Sequence, residues 1–117
     1  MATLELLDRE TWEAFTQAPL AFLMLGKKDC EHCAKWTDEL TAFLAADTEF
    51  AAARFGKLLI DTPGLGAFKK ANPWLAEVEV LPYNLLYQAG QRVKDWPGGG
   101  IDRLVNRLRR ITSGDPG

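Results

Sequence analysis

The spacing of apolar residues changes several times along the chain, and each change marks a separate element. Thr3–Leu7 alternates as a short strand, and Asp8 can cap a helix over Arg9–Gln17 that puts Trp12 and Phe15 on one face. After Pro19, Leu20–Leu25 is a continuous apolar run of the kind found in buried strands. Cys33, Trp36, Leu40, Phe43 and Leu44 then fall at helical spacing, so the second cysteine opens an amphipathic helix. Lys57–Ile60 reads as the next strand. Within Asp61–Val80, Leu65, Phe68 and Ala71 suggest two helical turns broken by Asn72-Pro73. Asn84–Tyr87 and Gln91–Asp95 form a hairpin through Ala89-Gly90. Gly98-Gly99-Gly100 leads into the clearest helical stripe, Ile101, Leu104, Val105, Leu108 and Ile111, and Ser113–Gly117 is expected to fray. The order β-α-β-α-β-α-β-β-α predicts an α/β fold, a mixed sheet with helices on both faces.

Composition adds bounds to this outline. At 117 residues, 47% apolar and 26% charged, residues 1–117 have the makings of one globular domain. A net charge of −2 gives no reason to expect a nucleic-acid or membrane partner. Arg103, Arg107, Arg109 and Arg110 read as the solvated face of the last helix, where positive charge also suits the helix dipole. Met1–Glu10 has no basic start leading into an apolar run, so a cytoplasmic location is expected, and two cysteines there are rarely a structural staple.

The chemistry concentrates in Cys30-Glu31-His32-Cys33. Cysteines three apart in the first turn of a helix can bridge without backbone movement. The loop they close is so small that the bond restricts the unfolded chain by only about 2 kcal/mol, so it is a weak staple. It makes a better switch, because a helix N-terminus stabilises a thiolate at Cys30. His32, Lys27 and Lys28 would lower the Cys30 pKa from about 8.5, whereas Asp29 and Glu31 would raise it. Cys33 is then the resolving thiol. Two inert core cysteines remain an alternative reading. Zinc is the other, but a closed site wants four ligands and the chain has two cysteines and one histidine, so no metal is expected.

With the motif placed, the chain resembles the thioredoxin family from about Leu4 to Ile111. The resemblance rests on a strand, Cys-x-x-Cys and helix in that order, then Lys57-Leu58-Leu59-Ile60-Asp61 as the family's central strand. Leu81-Pro82 before Tyr83–Tyr87, Gln88-Ala89-Gly90-Gln91 and Gly98–Gly100 complete it. It implies a thioredoxin-like fold and dithiol–disulfide exchange with no cofactor beyond the Cys30–Cys33 pair. It also implies a cis bond at Pro82 beside the cysteines, and backbone groups of Leu81 offered to an extended substrate. The expected partners are disulfide-containing proteins and, as electron source, a thioredoxin reductase or a low-molecular-weight thiol; a monomer is expected.

Four departures bear on function. Asp29 replaces the family's tryptophan before the first cysteine. Met24 stands where thioredoxins bury a proton-relaying aspartate, leaving water, His32 or Lys57 to serve Cys33. Glu31-His32 replaces Gly-Pro, and a histidine there resembles the isomerase and oxidase branches. The segment 62–80 is long and carries Trp74, either a partner surface or partly buried core. Three functions follow: a disulfide reductase, an isomerase or oxidase, and a redox-inactive interaction module.

Overall fold

The structure is a computed structural model that describes residues 2–113. At its centre lies β2 (Ala21–Gly26), all six residues of which are buried, as the apolar run requires. It pairs in parallel with β3 (Arg54–Leu59), which pairs in parallel with β1 (Leu4–Leu6). On its other side it meets β4 (Tyr83–Gln88) antiparallel, and β4 continues into β5 (Gln91–Pro97) through Ala89-Gly90. The five-stranded sheet thus has the order β1-β3-β2-β4-β5.

Each face of the sheet has its own apolar cluster. Phe22, Met24, Phe55, Leu86 and Trp96 pack under α2 (Glu31–Ala46) and α4 (Ile101–Thr112). Leu23, Leu25, Leu58, Leu85 and Tyr87 pack under α1 (Trp12–Thr16) and α3 (Gly66–Ala71). The α/β class, the element order and the helices on both faces match the sequence reading.

The differences are local and have physical causes. Helix α1 begins at Trp12 rather than Arg9. Asp8 nonetheless caps the turn that leads into it: its carboxylate accepts from the amides of Glu10 (2.8 Å) and Thr11 (3.1 Å), and its carbonyl accepts from the Trp12 amide (3.2 Å). Helix α2 begins two residues before Cys33, with Cys30 as its N-cap. Strand β3 begins at Arg54 instead of Lys57 because Gly56 lies inside it. A Cβ at Gly56 would sit 2.8 Å from Phe15 Cζ and 2.9 Å from Leu7 Cδ1, so this glycine marks a close approach and not a break. Asn72-Pro73 does interrupt α3, but Pro73–Glu77 then forms a 3-10 turn with proline in its first positions. On α4, Arg109 pairs with Glu49 through two hydrogen bonds of 2.9 Å, and Arg107 is partly buried with its guanidinium 4.4 Å from the Trp96 ring centroid. Ser113, read as frayed, donates its amide to Arg109 O at 2.9 Å; the rest of that expected tail lies outside the described residues. Among the described residues, no helix is long and apolar enough to cross a membrane.

Candidate active site

Strand β2 ends at Gly26 and the chain turns through Lys27-Lys28-Asp29 into α2. The Lys28 amide donates to Asp61 Oδ2 (3.2 Å) and the Ile60 amide to Gly26 O (2.8 Å), which fastens this turn to the end of β3. Cys30 is the N-cap of α2 in an extended conformation, and its Sγ accepts from the Cys33 amide at 3.1 Å. Sulfur takes the place usually filled by a serine or aspartate oxygen. On reduction, the same position offers a Cys30 thiolate a backbone donor and the positive end of the helix dipole.

The two sulfurs are bonded to each other, with Cα atoms 5.2 Å apart, but their surroundings differ. Cys30 is partly exposed, whereas Cys33 is 1% exposed and belongs to the cluster with Phe22, Met24, Trp36 and Leu40. Beneath Cys33 is Gly26, where a Cβ would lie 3.2 Å from both Cβ and Sγ of Cys33. Any side chain there would press on Cys33 and require helix and strand to shift apart by a few tenths of an ångström.

The Leu81–Pro82 bond is cis. The antiparallel register pairs Leu25 with Tyr83, so one step further sets Pro82 opposite Gly26 and therefore beside Cys33. Pro82 is buried, and Leu81 is half-buried between the two clusters. Backbone geometry thus brings Cys30, Cys33, Gly26 and Pro82 to one end of the sheet.

Other candidate residues occupy looser positions. Glu31 and His32 open α2 but are exposed, and among the described residues neither side chain makes a hydrogen bond or ion pair. Lys57 is half-buried and pairs in register with Met24, on the α2 side of the sheet. Met24 itself is fully buried, with the Thr37 hydroxyl 3.7 Å from its sulfur.

Sequence reasoning missed the support that holds α2 in place. The indole N–H of Trp36, one turn after Cys33, donates to Asn84 Oδ1 at 2.9 Å. Asn84 Nδ2 donates to the carbonyls of Trp96 (3.1 Å) and Gly98 (2.6 Å). Asn84 is fully buried, and a polar residue on the inward face of an apolar strand was the available clue.

Trp74 is half-buried and packs on Tyr83, with ring centroids 6.0 Å apart. The guanidinium of Arg92 lies 4.2 Å from the Trp74 ring centroid, and Tyr83 donates its hydroxyl proton to Asp95 Oδ1 at 2.6 Å. Burial first, and then the Asp95 hydrogen bond, pushes the Tyr83 phenol up to about 12. Burial also raises that of Tyr87, the chain's second tyrosine. A raised phenol contributes stability fully below the unfolded pKa of about 10 and loses it as pH climbs through the folded value. At pH 10, absorbance at 295 nm should therefore detect less phenolate in the folded protein than the roughly half ionisation expected in urea. Half ionisation of the folded chain would mean that Tyr83 is freely solvated.

No family model and no curated protein matches the chain. Solved structures do. Thioredoxin f2 of Chlamydomonas reinhardtii is 22% identical with a TM-score of 0.73, covering 92% of this chain and 95% of that one. The short form of spinach chloroplast thioredoxin f is 15% identical with a TM-score of 0.73, covering 92% and 91%. Oxidised thioredoxin O2 of Arabidopsis thaliana is 12% identical with a TM-score of 0.72, covering 93% and 94%. Identities in this range establish architecture, and the chain is a thioredoxin-fold protein. Within that fold it is of the kind that carries a disulfide-forming Cys-x-x-Cys pair, Cys30 and Cys33, at the start of α2.

Proposed function

We propose that the chain is a protein-disulfide oxidoreductase with Cys30 as nucleophile and Cys33 as resolving thiol. The observation that carries this reading is the asymmetry of the bonded pair: a partly exposed sulfur on a helix N-cap and a buried one three residues later. In the reducing direction the Cys30 thiolate attacks a substrate disulfide, forming a mixed disulfide and expelling one substrate thiolate. Cys33 loses its proton and attacks Cys30 Sγ. The second substrate thiolate leaves, and two electrons have moved from the Cys30–Cys33 dithiol to the substrate. Leu81 and the cis Pro82 edge would align an extended substrate strand beside the sulfurs. Disulfide-bearing proteins are the proposed substrates, and a thioredoxin reductase or a small thiol returns the electrons. The protein would act as a cytoplasmic monomer.

A second reading, isomerase or oxidase, is favoured by one observation, the exposed His32 in the first turn of α2. A protonated imidazole there stabilises the reduced thiolate and makes the disulfide more oxidising. Equilibration with glutathione separates the two. A midpoint near about −270 mV marks a reductant and one near about −180 mV or above an isomerase or oxidant. His32→Pro should shift the midpoint to more negative values. An unchanged equilibrium would remove histidine from the tuning, and a pair that does not titrate would remove the enzyme.

A further inference from the structure

The segment 72–80 and the outer edge of the β4–β5 hairpin enclose an open cleft of about 410 Å³. Trp74 and Tyr83 give it aromatic walls, and Val80, 54% exposed, adds an apolar lip. Its place in the chain ties it to the redox site, because Val80 and Tyr83 directly flank Leu81 and Pro82. A polypeptide lying along Leu81 would pass this opening.

The charges in the cleft are unbalanced. Arg92 is answered by Asp95, with N–O 3.5 Å. Glu77 and Glu79 also line the cleft, are exposed, and take part in no ion pair among the described residues. The wall chemistry already accommodates a cation, since the Arg92 guanidinium rests on Trp74 at 4.2 Å. Apolar walls for an aliphatic stem, under a rim of two unmatched carboxylates, complement an amphipathic cationic side chain.

We propose that this cleft is a subsite for lysine or arginine side chains close to the disulfide of a polypeptide substrate. The assignment rests on the oxidoreductase reading for its purpose but not for its binding chemistry, so the two can be tested apart. The probes are three peptides with lysine, glutamine or glutamate two and four residues either side of a central cysteine.

Binding decides the cleft. With serine in place of the cysteine, tryptophan fluorescence titration should show the lysine peptide binding about five- to tenfold more tightly than the glutamate peptide, a size expected of partly exposed ion and cation–π pairs. Glu77→Gln/Glu79→Gln should reduce that ratio to below about twofold, and Trp74→Phe should weaken lysine-peptide binding while sparing the charge preference in part. Equal affinities in the wild type, or a preference that survives the double glutamine variant, would overturn the proposal. Turnover of the cysteine peptides as symmetrical disulfides reports on the chemistry. If none of the three is reduced while the binding preference is present, the oxidoreductase reading falls and the cleft stands as a cationic-peptide site.

Discussion

Cys30→Ser should reduce insulin disulfides no faster than dithiothreitol does alone. A serine hydroxyl is not ionised at neutral pH and cannot form a mixed disulfide, and the surviving Cys33 is only 1% exposed, too buried to meet a protein substrate. Cys33→Ser should behave differently. Its Cys30 still holds the N-cap of α2, where the backbone N–H of position 33 and the dipole remain available to the thiolate. Capture then continues while resolution fails, so the variant should accumulate mixed disulfides that reducing agent releases. Mass spectrometry of the reaction would distinguish the two variants. Full activity in Cys30→Ser, or the same adduct yield from both, would invalidate the assigned division of roles.

Asn84→Ala should be strongly destabilising although it lies away from the sulfurs. It deletes three hydrogen bonds at a fully buried position, leaving the Trp36 indole N–H without a partner and taking a side-chain donor from the carbonyls of Trp96 and Gly98. Buried polar groups stranded in this way cost about 1–3 kcal/mol each when fully dehydrated, and partial relaxation leaves an expected loss of about 2–4 kcal/mol overall. For a domain of this size that is roughly 10 °C or more in Tm. A double-mutant cycle with Trp36→Phe should show the two losses to be strongly non-additive, because each substitution removes the same Trp36–Asn84 bond. A loss below about 0.5 kcal/mol, or simple additivity, would mean that water replaces the Asn84 contacts and that the network does not hold α2.

The parts of the fold legible in the sequence were those where one physical constraint acted alone. Leu20–Leu25 is apolar throughout because both faces of β2 are covered, and the Ile101–Ile111 stripe repeats at helical period because α4 buries one side. The cysteine motif was legible because its two residues lie three apart at the start of one helix. The cis bond at Pro82 came from the thioredoxin resemblance, since nothing in the local sequence distinguishes it from a trans proline. The misjudged positions were those where two constraints met. Strand β3 starts three residues earlier than the apolar run suggests, because Gly56 inside it serves close packing against Phe15 and Leu7. Asn84 finds its partner 48 residues away in Trp36, a pairing that no local pattern encodes. The cleft beside Trp74 was likewise hidden, because it joins a 3-10 turn to strand positions that come together only in the folded sheet.

The outer strands of the sheet bear on how the protein behaves in company. β5 exposes Arg92, Lys94 and Asp95 along its free edge and finishes on Pro97, while the opposite border, β1, spans only three residues. Like charges facing one another across a would-be lateral pairing repel, and proline lacks the amide needed to continue it. Both borders thus carry features that oppose lateral addition of another strand. The proposed exchange with other polypeptides would bring strands alongside this sheet, and such borders disfavour their joining it.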